Sequence, residues 1–434
     1  MNRICLVMVV ALALSVSLRG ATPPKQWIDP DTGHRIIRIT DEPGTGSLYF
    51  NQNAYSKDGK KLIITTAHRD IATVDLSNFH MEIVVKGPVN AIVTGRKTGD
   101  VYYRRPDGMI CATNLDTHAT REIVNLPRDE SVATINADET LLGGVRTERG
   151  GNEPFTVNAP HAATDGHEWT FAERKEISLH DRLHMRIPMD LIMVDTATGK
   201  THVLLHSTDW LNHVQFSPSD PTLMMFCHEG PWHEVDRIWV IHTDGSGLMN
   251  IHKRTMNMEI AGHEFFSGDG KTIWYDLQTP RGEDFWVAGY ELGTGKRTWY
   301  HLQRNEWSVH YNVSPDGKLF AGDGGDSEMV AHAPAGKWIY LFRPEAIPDV
   351  AGIKAPDAGS LIHPGVFRAE RLVNMGKHEY HLEPNVTFSP DMKYVIFRSN
   401  MFGGEYVFAV EIESRDKGQD GKAAREMQMP SSLK

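Results

Sequence analysis

One pattern of apolar and polar positions recurs along the chain: an apolar strand, a turn built on Ser or Asn with Asp and Gly, then a second apolar strand. The clearest copies are "NQNAYSKDGKKLIITT" from Asn51, "NHVQFSPSDPTLMMFC" from Asn212, "GHEFFSGDGKTIWYD" from Gly262, "VHYNVSPDGKLFAGD" from Val309 and "EPNVTFSPDMKYVIFRS" from Glu383. "NAIVTGRKTGDVYY" from Asn90 and "ATINADETLLGGV" from Ala133 are weaker copies. Turn residues between β-branched and aromatic flanks predict a β-hairpin at each. A second hairpin follows, as in "LIMVDTATGKTHVLL" from Leu191, "IWVIHTDGSGLMNI" from Ile238 and "FWVAGYELGTGKRTWYHL" from Phe285. Four strands per unit, recurring about every 40 to 50 residues, predict propeller blades. Two longer intervals, containing "RGGNEPFTVNAPHAATDGHEW" and "IPDVAGIKAPDAGSLIHP", read as loop insertions.

The ends complete the count. The last copy is followed by only one strand, "YVFAVEIE", while "DPDTGHRIIRIT" near the start resembles the outer half of a blade. Pairing the first strand with the last blade closes the ring and removes a sheet edge. The expected fold is therefore all-β, one seven-bladed β-propeller over residues 25–414. "SRDKGQDGKAAREMQMPSSLK" beyond it reads as a disordered C-terminal tail, residues 415–434.

Composition changes this picture little. The 434 residues are 40% hydrophobic and 23% charged, ordinary for a globular protein. A formal net charge of -11 argues against a general nucleic-acid binder. Arg3 followed by "ICLVMVVALALSVSL" reads as a signal peptide over residues 1–21, too short for a comfortable membrane span. Export to the periplasm or beyond is expected, and an uncleaved anchor is the other reading. After removal of Cys5, Cys111 and Cys227 remain, too few for a disulfide framework.

The repeat also ranks the 22 histidines. Four residues before the turn Ser, or its equivalent, stand Gln52, Asn90, Val132, His213, His263, His310 and Asn385. The first strand of a propeller blade lines the channel, so equivalent positions ring the axis, and alternation puts Phe265 or Asn312 on the same face. Polar side chains there could simply hydrate the channel. Three histidines from successive blades could instead build a transition-metal site with nearby oxygens. In "KHEYHLEPNVTFSP", His381, Glu383 and Asn385 alternate. Glu383 and Asn385 offer oxygen and His310 offers nitrogen, a mixed set suited to Mn²⁺ and less so to Ca²⁺ or Mg²⁺. A surface charge is the plain alternative for Glu383. Arg237, Arg281 and Arg398, with His228 and His233 around "EGPW", are candidates for binding an acidic substrate, although most exposed arginines are simply solvated.

The segments "FCHEGPWHEVDRIWVIHTDGSG", "GHEFFSGDGKTIWYD", "HYNVSPDGKLFAGDGG" and "EPNVTFSPD" resemble the oligogalacturonate lyases, polysaccharide lyase family 22. The resemblance is strongest from about residue 210 to 412, and the repeat extends it over nearly the whole mature chain. It implies a seven-bladed propeller with Mn²⁺ in the channel and β-elimination of short pectic oligosaccharides. It implies His263 as Brønsted base, Arg237 as its assistant and His310 as a metal ligand. The family's Gln-x-x-His-x-His run reads Tyr380, Glu383 and Asn385 here, so oxygen donors replace two imidazoles. On this reading His310, Glu383 and Asn385 hold the metal, while His213, His228 and Arg281 meet the oligosaccharide. No nucleic acid and no membrane span of the mature chain are expected.

Other classes compete. A non-catalytic propeller, like the periplasmic Tol-system protein with its Ser-Pro-Asp-Gly repeats, needs no converging histidines. A propeller-bearing serine peptidase needs several hundred more residues and a Gly-x-Ser-x-Gly elbow, and neither is present. The same fold and metal acting on another uronate-containing glycan is the most serious rival, because of the altered ligand run.

Overall fold

The computed structural model describes residues 23–148, 165–348 and 350–414. The expected signal peptide and tail lie outside them. Among the described residues there are 29 strands, one α-helix and three short 3-10 helices. Four sheets have four antiparallel strands each. An eight-stranded sheet joins two further four-stranded units, and a five-stranded sheet holds the last. That makes seven blades, as the repeat predicts.

Ring closure follows the expected plan with one strand more. Arg35–Arg38 pairs with Tyr406–Glu411 of the last blade, and Gln26–Ile28 adds outside it. No free edge is left between the two termini of the ring.

The repeated turn has a common wiring. Ser56, Ser267, Ser314 and Ser389 each donate from Oγ to the Asp two residues on, at 2.7 Å. Each Oγ also accepts the backbone N–H five residues on, at 2.9–3.0 Å. Side chain and backbone are thus satisfied locally, which lets the hairpin reverse without outside support. The fourth turn position needs a left-handed backbone: Gly59, Gly270 and Gly317 have φ of 71°, 73° and 72°. The seventh copy puts Met392 there, at φ 58°.

Apolar residues of neighbouring blades interlock into the core. Phe265, Phe285, Tyr311, Phe320 and Phe342 form one such seam between the fifth and sixth blades.

Both long intervals carry more structure than the expected loops. The first holds an α-helix, α1, over Phe171–His184. Its capping box is complete: Thr170 Oγ1 accepts from the Glu173 N–H, and the Thr170 N–H donates back to Glu173. The rest of the quoted insertion, up to residue 164, lies outside the described residues. The second interval is the far end of a long hairpin, Trp338–Ala346 and Ile362–Asn374. Its returning strand lies parallel against Arg297–Leu302 of the fifth blade, and this joins two blades into one sheet. Cys111 and Cys227 are both free and buried.

Candidate active site in the channel

The inner strands are not regular where the ring of polar residues falls. The ladder slips between Asn212 and Gln215 in the fourth blade, and between Gly262 and Phe265 in the fifth. His213, His263 and Asn385 have φ of 48°, 46° and 54°. Left-handed backbone at a residue with a Cβ is strained, and such positions cluster at functional sites. The bulge also breaks the expected alternation. His263 sits at the channel, Glu264 is fully buried, and Phe265 packs in the core seam.

Each of two histidines is anchored by a carboxylate of its own blade, Asp276 within the second strand and Asp323 directly after it. His263 Nδ1 lies 3.0 Å from Asp276 Oδ1, and His310 Nδ1 lies 2.8 Å from Asp323 Oδ2. An ionised carboxylate only accepts, so each Nδ1 carries the proton and each Nε2 keeps its lone pair when the ring is neutral. The two rings meet edge to face, with centroids 4.7 Å apart. Burial alone would lower the pKa of His310, but Asp323 and Glu383 outweigh it and the net shift is upward.

Asp323 does more than orient one ring. It also accepts the backbone N–H of His310 at 2.8 Å and that of Asn385 at 3.3 Å, while its carbonyl accepts from Tyr380 Oη at 2.9 Å. One buried carboxylate therefore ties the sixth blade to the seventh. Neither Asp276 nor Asp323 figured among the expected site residues. Both stand 13 residues after their histidines, at one repeat register, and that shared spacing was a usable signal.

The first blade supplies an unexpected part. Its inner strand ends at Ser47, and the chain then turns back, with Gln52 N–H bonding Tyr49 O at 2.9 Å. The turn pushes Tyr49 and Phe50 into the channel. Tyr49 Oη lies 3.2 Å from His310 Nε2, and its ring contacts His213 edge to face. Phe50 touches both His263 and His310. Burial, and then the Glu383 charge, raise the Tyr49 pKa well above the usual phenol value, so the hydroxyl stays protonated.

Arg237 is buried and paired with two carboxylates. Its Nε donates to Glu264 at 2.8 Å and its Nη1 to Glu229 at 3.0 Å. His213 lies against the same pair, 3.5 Å from Glu229 and 3.8 Å from Glu264. Burial first, and Arg237 second, push the pKa of His213 down to about 4.

The donors that could hold a divalent cation are His310 Nε2, the Glu383 carboxylate and Asn385 Oδ1. His310 Nε2 and Glu383 Oε2 are 3.6 Å apart. Two ligands about 2.1 Å from one ion stand roughly 3.0–3.4 Å apart at octahedral or tetrahedral angles, so a small approach suffices. Asn385 Oδ1 is buried with no hydrogen-bond partner, the state expected of an oxygen kept for an ion or a water. Glu383 is held ionised: burial opposes this, and His310 is the largest of several cations that outweigh it. Among the described residues no three of His, Cys, Asp or Glu gather round one point, so an amide or hydroxyl oxygen must complete the set. The residues fit a cation on those terms.

Two expected substrate residues are already paired within the protein. His228 is paired with Asp209 at 2.8 Å and packs on Trp239. Arg281 is bound to Glu176 of α1 and lies over Trp232. His213, His263, His310, Glu383 and Asn385 do come together, and Arg237 shares Glu229 and Glu264 with His213.

A family model described as oligogalacturonate lyase matches residues 24–415. The oligogalacturonide lyase of Pectobacterium atrosepticum is 23% identical over 405 residues, covering 88% of this chain and 95% of the relative. The oligogalacturonate lyase of Dickeya dadantii is 22% identical over 402 residues, with the same shares. A solved oligogalacturonate lyase in complex with manganese superposes with a TM-score of 0.69 at 21% identity, covering 89% of this chain and 96% of that one. The Vibrio parahaemolyticus oligogalacturonate lyase gives 0.71 at 20% identity, with the same coverage. These likenesses bear out the propeller.

Proposed function

The chain belongs to the oligogalacturonate lyase family, and from that premise we propose that it cleaves short oligogalacturonates by metal-assisted β-elimination. The observation that carries this reading is the pair of carboxylate-anchored imidazoles, His263 on Asp276 and His310 on Asp323, in ring contact across adjacent blades.

His263 acts as the base. Asp276 fixes its tautomer, and Nε2 takes the proton from C5 of the uronate. Histidine is the side chain most often used for such base catalysis. The electron pair of the C5–H bond forms the C4–C5 double bond as the C4–O bond breaks, which leaves a 4,5-unsaturated uronate. Arg237, held between two carboxylates, acts by keeping His213 uncharged and the region rigid rather than by gripping substrate. His310, Glu383 and Asn385 would hold the cation, with Mn²⁺ the best match to the donors. When bound, it would stabilise negative charge developing on the C6 carboxylate. Export in front of a propeller of residues 25–414 belongs to the same proposal.

The test is ultraviolet absorbance of the unsaturated product, on oligogalacturonates beside other uronate oligosaccharides, with and without chelator. A rise on oligogalacturonate that chelator removes supports the reading. A rise only on another uronate glycan moves the substrate but keeps the chemistry, and no rise on any overturns it.

A further inference from the structure

The channel floor is strongly acidic. Glu229, Glu264, Asp276, Asp323 and Glu383 surround it, and Arg237 is already shared between two of them. Arg281, the next cation at the mouth, is taken by Glu176. Beyond the one carboxylate that a cation on His310, Glu383 and Asn385 would meet, a polyanionic oligosaccharide approaching this surface meets repulsion unless some free positive charge faces it.

Helix α1 supplies that charge. It is pinned across the mouth by several blades: Ala172 N–H donates to Glu328 O at 3.2 Å, and Glu176 meets His233 at 2.6 Å as well as Arg281. Ala172 and Leu179 are buried with Trp232 and Ile260. Lys175 stands next to Glu176 yet is exposed, with Nζ 5.9 Å from the centroid of the Trp232 ring. It forms no ion pair with any described residue. Ile260, packed under α1, opens the inner strand that carries His263, and Trp232 stands in the loop that follows the strand ending at Glu229, so α1 and Lys175 lie at the end of the channel that holds the site.

We propose that Lys175 binds a carboxylate of the oligosaccharide and selects charged over esterified uronates. The proposal rests on the functional reading above. The helix fixes the backbone in advance, so only the lysine side chain has to be ordered when the anion arrives.

Calorimetric binding tests it without turnover. Trigalacturonate and its methyl ester are titrated into the metal-loaded His263→Ala protein, with and without Lys175→Met. Methionine keeps an apolar stem over Trp232 and removes only the charge. Lys175→Met is expected to weaken the acid by about tenfold, a single ion-pair effect, and to leave the ester unchanged. Lys175→Arg is expected to restore the acid, and added salt to narrow the gap. Equal weakening of acid and ester, or no weakening of either, overturns the assignment of Lys175 and leaves the lyase reading intact. Failure of the parent protein to bind any uronate overturns both.

Discussion

His263 and His310 come from adjacent blades, yet their rings stand at 75° to one another, centroids 4.7 Å apart, and each is tied to an aspartate of its own blade. The two aspartates set which nitrogen of each ring faces the channel. Asp276→Asn should therefore act as a chemical lesion: an amide can donate to Nδ1 and stabilise the wrong tautomer. The expected result is a kcat lower by about 10²-fold or more with KM little changed, the scale of a lost general base. Steady-state kinetics by product absorbance check it, and a changed KM at constant kcat would contradict it.

Arg237 predicts a different kind of failure. It is buried between Glu229 and Glu264, so Arg237→Ala strands two buried carboxylates. Breaking such an arrangement costs about 3–5 kcal/mol, far more than loss of a surface pair. The thermal midpoint should fall by several degrees, whereas His263→Ala should hold close to the parent. Equal midpoints for the two variants would show that Arg237 serves the substrate rather than the fold.

Asn385 predicts a metal effect readable without activity. A ligand that binds only the folded form raises the thermal midpoint as its concentration rises. Mn²⁺ should stabilise the parent protein, and Asn385→Leu should lose most of that gain because the partnerless Oδ1 is gone. Unchanged stabilisation would remove Asn385 from the ligand set.

The blade count, the ring closure and the channel register were legible because each is written several times. The turn wiring of Ser56 repeats at Ser267, Ser314 and Ser389. Features that occur once were not. Tyr49 and Phe50 enter the channel through a turn that only the first blade makes. Helix α1 lies in a unique insertion, and its pattern competes with no copy. The setting of Arg281 was hidden for a related reason: an arginine in a loop carries no mark of its partner, and that partner, Glu176, is 105 residues away. Asp276 and Asp323 were legible in principle, since they share a register, but second strands are apolar in most copies and that register was not read.

The last prediction concerns acid. His213 is held near pKa 4 by burial and by Arg237, and His378 is likewise at about 4, chiefly by burial. Both values lie below the unfolded value of about 6.5. The unfolded chain therefore binds more protons than the native one between those limits. Stability must rise with pH across that window and drain away as pH falls from 6.5 towards 4, by at most about 1.4 kcal/mol per pH unit for each group. His310 has the opposite sign: its pKa is raised, so its contribution is lost only as pH climbs above the unfolded value. Glu229, held low although burial opposes it, acts below about pH 5, where the unfolded glutamate begins to take up its proton. The stretch between about 6.5 and 5 is thus the part in which the two depressed histidines act apart from the depressed carboxylates. His213 faces Glu229, Glu264, Arg237, His263 and Tyr49, so glutamine keeps its bulk and polarity while removing the titration. Thermal midpoints measured across the window should fall less steeply for His213→Gln than for the parent. Parallel slopes would mean that His213 takes up its proton in the native state as readily as in the unfolded one.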